Sequence, residues 1–182
     1  MLTDIPYNRS HVYEYAIKWA YGRNPLFYNF SEIGGDCTNF VSQCVYAGCC
    51  TMNFDTVRGW YYISTDNRTP SWTGVEFFYD FIVNNTGIGP FAREVSEGEL
   101  DIGDVIQLGQ SEGDFYHTLV VTGFAENTYL VSAHTYDSLN RRLDSYQYER
   151  SRFLHIEGVR IAVPDSTSCF QGVVEGTRIF PQ

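Results

Sequence analysis

The sequence predicts an α+β domain, with helices in its first half and an antiparallel sheet in its second. Three observations carry that expectation. Apolar residues before position 85 recur at helical spacing, whereas after Gly89-Pro90 they alternate along runs rich in β-branched residues. Two of those later runs are separated only by Ala125 to Thr128, which joins them as an antiparallel hairpin and leaves no room for a crossover. Helices first and a hairpin sheet afterwards is not the alternation of a doubly wound parallel fold.

The first helix is expected over about residues 8–21. Val12, Tyr15, Ala16, Trp19 and Ala20 share one face, and Gly22 with Asn24-Pro25 stops it. The second is signalled more strongly. Gly34-Gly35-Asp36 is a turn ending in a good N-cap residue, and Phe40, Val41, Cys44, Val45 and Gly48 follow on one face. That helix starts at or beside Cys37. A third covers residues 75–82, opened from Ser71 or Thr73 and closed by Asn84-Asn85-Thr86-Gly87. Residues 60–72 read as aromatic-rich connecting structure. Strands follow at 104–108, 116–124, 129–135 and 153–161, the middle two forming the hairpin.

Composition bounds the function. With 182 residues, 43% hydrophobic, 16% aromatic and 19% charged, the chain is expected to form one domain with a large core, about residues 7–163, and a tail at 164–182. The net charge of −10 comes without any Lys/Arg run, which excludes a nucleic-acid binder and favours a neutral or cationic substrate. No apolar run approaches the roughly 18 residues of a membrane span. The first residues lack the basic and apolar regions of a signal peptide, and the compartment stays open between export to the cell wall, spore association and the cytoplasm. The five cysteines, at 37, 44, 49, 50 and 169, include no C-x-x-C pair, so no structural zinc is expected, nor any other metal or cofactor. Whether Cys49 or Cys50 pairs with Cys169 is left open. Gly34-Gly35 lacks the Lys-Ser/Thr of a phosphate loop.

Cys37 stands out by position. A thiol in the first turn of a helix faces unpaired backbone N–H groups and the positive end of the macrodipole, so it is expected to titrate below its usual value of about 8.5. Such a nucleophile needs a base and a group that orients the base. His117 begins one strand of the hairpin and His134 ends the other, so the two are expected to be cross-strand neighbours, giving a Cys37–His117–His134 triad. Asp137 competes with His134 for the third place. The blander alternative is a buried apolar cysteine and structural histidines. Cys44 reads as packing, His155 as structural and His11 as solvated.

The string Gly34-Gly-Asp-Cys-Thr-Asn-Phe-Val-Ser-Gln-Cys44 resembles the nucleophile motif of the bacterial putative-amidase family (amidase family six). That family is a branch of the papain-like NlpC/CHAP superfamily of cysteine amidases and endopeptidases. Asn24-Pro25, Trp60-Tyr61-Tyr62, Gly103-Asp104-Val105-Ile106, His117-Thr118 and Val131-Ser-Ala-His-Thr135 extend the likeness over about residues 7–160. The resemblance implies a papain-like fold, Cys37 as nucleophile, His117 as base and acid, and His134 as orienter. By the same likeness Asp36 stands where related endopeptidases place an acid near the substrate. Trp60 and Tyr116 are the aromatic candidates for a substrate groove. The implied activity is cleavage of an amide bond through a thioester, in a peptide or peptidoglycan-like substrate. The alternative is a catalytically silent binding module on the same fold.

Overall fold

Capping and turn chemistry place the helices close to where periodicity puts them. The computed structural model describes residues 1–163 and 168–181. In chain order these form β1 (Thr3–Ile5), α1 (Arg9–Trp19), α2 (Cys37–Cys49), a small hairpin of β2 (Tyr62–Ser64) and β3 (Asn67–Arg68), the single turn α3 (Pro70–Thr73), and α4 (Val75–Asn84). There follow β4 (Gly89–Val95), β5 (Val105–Gly109), β6 (Phe115–Ala125), β7 (Thr128–Ala133), β8 (Ser138–Arg142), β9 (Arg150–Ile161) and α5 (Phe170–Glu175). Asn8 caps α1 through its side chain on the His11 N–H. Residues 164–167 and 182 of the expected tail lie outside the described residues. Much of the rest of that tail is α5.

The sheet is antiparallel, in the order β1-β9-β5-β6-β7-β8, with β4 also paired to β9. The expected hairpin is β6–β7, in the register Val120↔Ser132, Val121↔Val131 and Phe124↔Tyr129. One face of the sheet, through Val105, Val120, Leu154 and Ile156, packs on α2. The other face, through Ile106, Leu108, Leu119, Val121, Val131 and Phe153, closes on Leu143 and Tyr146. Every residue of α2 is buried. A Cβ at Gly48 would collide with Val12 and Tyr7, so glycine there lets α1 and its approach lie close. The Gly103-Asp104 turn anchors α1 to β9, because the buried Asp104 carboxylate accepts from Arg9 at 2.7 Å, from His155 Nδ1 at 2.7 Å and from the Ile156 N–H at 3.0 Å. That is the structural role expected of His155.

Candidate active site

Cys37 is the first residue of α2 and is 7% exposed. Its sulfur lies 3.8 Å from the Thr38 hydroxyl, and the backbone N–H groups of Thr38 and of Thr118 on β6 also reach it. Register explains why a strand N–H is free for this. Beyond Val120↔Ser132 the ladder would next set Thr118 against His134, but β7 stops at Ala133. The thiol nonetheless titrates above its usual value. Burial pushes it up, the three hydrogen-bond donors pull it back in part, and the neighbouring Asp36 charge adds to the rise. The expected depression is therefore corrected: helix position alone does not outweigh desolvation.

Asp36 is fully buried and does not cap α2 with its side chain. Its Oδ1 accepts from the Phe30 N–H at 2.9 Å and from Asn39 Nδ2 at 2.8 Å. Its Oδ2 lies 2.6 Å from His134 Nδ1 and 3.3 Å from Arg23 Nε. With both oxygens occupied and no surface exposed, Asp36 is not placed to bind substrate, which corrects that expectation. His134 stacks on Phe40 of α2, with ring centroids 4.0 Å apart, and its Nε2 meets the Trp19 carbonyl at 2.8 Å. Its two nitrogens thus face the Asp36 carboxyl and a backbone carbonyl. The structure does not bring His134 to His117. The reason is parity: His134 would stand opposite Thr118, one residue off, and Thr135 and Tyr136 then turn the chain with φ of 58° and 65°. Asp137 is taken as well, in a bidentate pair with Arg23 at 2.9 and 3.0 Å.

His117 pairs with Leu108 and shares the sheet face of Leu119 and Val121, opposite to the face on which Thr118 meets α2. Its ring centroid is 6.0 Å from that of Tyr146. Among the described residues it makes no side-chain hydrogen bond, so none joins it to Cys37. Burial first, and then the Arg141 charge, lower it to about 4, which keeps the imidazole neutral near pH 7. What the structure does bring together is Cys37 and the backbone N–H immediately after His117. Tyr116 is 45% exposed and donates to the Gln147 carbonyl at 3.2 Å, as a surface aromatic beside His117. Trp60 is wholly buried against Trp72 and Phe81, with its indole N–H on Ser42, so it lines no groove.

Cys44 is buried packing, as expected. Cys50, the αL C-cap of α2, forms a disulfide with Cys169 and leaves Cys49 free. His11 is half-buried against Phe170, with ring centroids 3.7 Å apart, rather than solvated. Among the described residues no group of three or more His, Cys, Asp or Glu side chains is arranged to hold a metal, and no helix is long and apolar enough to cross a membrane. Arg23 and Thr118 were not legible as site residues, since each acts on partners far away in sequence. Thr38 and Thr118 carried one weak signal, as direct neighbours of Cys37 and His117.

A buried thiol opening the central helix of an α+β domain, against an antiparallel sheet, defines the class. Over residues 6–157 the chain matches the family described as "Putative amidase domain", and it belongs to that family, which points to a hydrolase. It is 35% identical over 148 residues to a Bacillus subtilis (strain 168) protein named "Uncharacterized protein YhbB", an alignment covering 80% of this chain and 46% of that protein. The chain thus spans about half the length of that relative. No solved structure matches it.

Proposed function

We propose that the protein is a cysteine-dependent amidohydrolase or peptidase that cleaves an amide through a thioester on Cys37. The observation that carries this reading is the sulfur itself, at the start of α2, with backbone N–H groups from Thr38 and Thr118 upon it. In this reading His117, neutral and without a hydrogen-bond partner, swings past the end of β7 and takes the thiol proton as sulfur attacks the carbonyl. The oxyanion forms at the helix start, where the Cys37 N–H donates to it. Collapse breaks the C–N bond, and the amine leaves with the proton held by His117. Water, deprotonated by the same ring, then hydrolyses the thioester and restores the thiol. The likeness to papain-like cell-wall enzymes makes a peptide amide, in peptidoglycan stems, the first substrate class to try.

The second reading, a silent binding module, is favoured by the raised thiol and the lack of a Cys37–His117 hydrogen bond. Incubation with peptidoglycan fragments and simple peptide amides, with released amines counted by mass spectrometry, separates the two. Turnover that falls by about a thousandfold or more in a folded Cys37→Ala variant supports the enzyme. Binding without turnover in the unmodified protein supports the module.

A further inference from the structure

A second buried polar group leads away from the sulfur through Thr38. Thr38, Thr118 and Gln107 are all fully buried, and Arg152 is 7% exposed. The Thr38 and Thr118 hydroxyl oxygens are 2.9 Å apart. Gln107 Nε2 is 3.2 Å from Thr118 Oγ1 and 2.9 Å from the Val75 carbonyl. Gln107 Oε1 is 2.8 Å from Arg152 Nε. Arg152 in turn lies 3.1 Å from Glu76 Oε2, sandwiched between the rings of Tyr79 and Phe115 at 3.6 and 3.9 Å.

The donors and acceptors admit one direction. Arg152 Nε can only donate, so the Gln107 oxygen must face it. The Val75 carbonyl can only accept, which confirms the amide orientation and commits one of its hydrogens. The other hydrogen goes to Thr118 Oγ1. Thr118 then has one hydrogen left, and in a fully buried site its partner is Thr38 Oγ1. The reverse arrangement would give Thr118 two donors and strand its own hydroxyl hydrogen. Thr38, accepting from Thr118, turns its hydrogen to the Cys37 sulfur at 3.8 Å.

We infer that Thr38 is the side-chain donor that holds the Cys37 thiolate, and that Thr118, Gln107 and Arg152 are positioning residues that keep its hydrogen on the sulfur. No proton travels along the chain. Each group keeps its own hydrogen, and a guanidinium at the far end polarises every bond towards the place where negative charge develops. The inference rests on Cys37 as the nucleophile, and it explains how a sulfur so desolvated can ionise at all.

The test is the pH profile of iodoacetamide alkylation at Cys37, followed on its own peptide by mass spectrometry, with thiolate absorbance near 240 nm (whole protein minus Cys37→Ser) as a second reading. Thr38→Val removes the donor at nearly constant shape. It should raise the midpoint by about one unit, slowing alkylation about tenfold below it. Thr38→Ser should restore the profile. Thr118→Val, which leaves Thr38 intact but unaimed, should move the midpoint the same way by less. Unchanged profiles in both valine variants overturn the inference, as does a Thr38→Ser profile shifted like that of Thr38→Val. Neither readout needs a substrate. Shifted profiles in a protein that cleaves no amide keep this inference and sink the hydrolase; unshifted profiles in an active enzyme sink this inference alone.

Discussion

The two sides of Cys37 are built on opposite principles. On the Asp36 side the network is charged and closed: one buried carboxylate, the His134 ring, and Arg23 carried on to Asp137. On the Thr38 side it is neutral at the sulfur and has its charge at the remote end, in the Arg152–Glu76 ion pair. The first ties together four pieces of chain, at Phe30, Asn39, His134 and Arg23, and so fixes where α2 begins. The second touches the sulfur. Their electrostatic effects on Cys37 are also opposed, since the Asp36 charge raises its titration and the Thr38 and Thr118 donors lower it. Adjacent polar residues in one motif can therefore do opposite things: one side sets the geometry, and the other makes room for charge.

The contrast breaks most visibly at Asp36. Asp36→Asn keeps the shape but removes the charge shared by His134 and Arg23, and about 2–3 kcal/mol of stability should go with it. At the same time the thiol loses an unfavourable neighbour, so Cys37 should alkylate a few-fold faster at a given pH below its midpoint. Thr38→Val should move the midpoint the other way, upwards, and should cost about 1–2 kcal/mol because it leaves the buried Thr118 hydroxyl without its acceptor. Urea unfolding and the alkylation profile, measured on both variants, check the crossed pattern. Two variants that move the alkylation midpoint in the same direction would dissolve the distinction.

Much of this arrangement was legible, and what was not has a common cause. The start of α2 followed from Gly34-Gly35-Asp36, and the β6–β7 hairpin from its alternation and short loop. What Asp36 would do with its carboxylate was not readable, because the partner that replaces a capping bond lies 98 residues away. His134 falls opposite Thr118 and not beside His117, since a shift of one residue sends a strand side chain to the other face. β4 is not legible in the sequence because Gly89-Pro90 looks like a turn, and the exposed Arg93 and Glu94 hide its alternation. α5 has only six residues, and its position depends on the Cys50–Cys169 bond and on Asn24, whose side chain donates to the Val173 carbonyl. Tertiary partners, not local propensity, decide such elements.

His117 sharpens the comparison in a second way. His117 is held near 4, below the 6.5 of an unfolded histidine, so the unfolded chain takes up its proton more readily. The stability it contributes is complete above about pH 6.5 and is lost as pH falls through about 4. Replacing it by Gln should flatten the stability–pH curve in that window, by about 1 kcal/mol once partial solvent access is allowed for. The same window bears on turnover: a base protonated only near pH 4 should leave the acid limb of kcat/KM well below pH 6. A limb at pH 6 to 7 would mean that the ring works in a more solvated setting than this one.

The smallest effect is expected at the outer end of the charged side. Asp137 is partly exposed, and its bidentate pair with Arg23 is open to solvent screening. Arg23 also keeps Asp36 at 3.3 Å and donates to Ser31 Oγ at 3.2 Å, so it is not left unpartnered when Asp137 is removed. Asp137→Ala should therefore cost less than about 1 kcal/mol, and less still in high salt. It should leave the Cys37 alkylation profile in place, because Arg23 and the buried Asp36 carboxylate stand between it and the sulfur. If turnover nevertheless collapses while stability and alkylation hold, Asp137 acts on the reaction directly. The turn after β7 would then have to release Arg23 and carry the carboxylate to His117, and the charged side would be a working part of the site rather than its foundation.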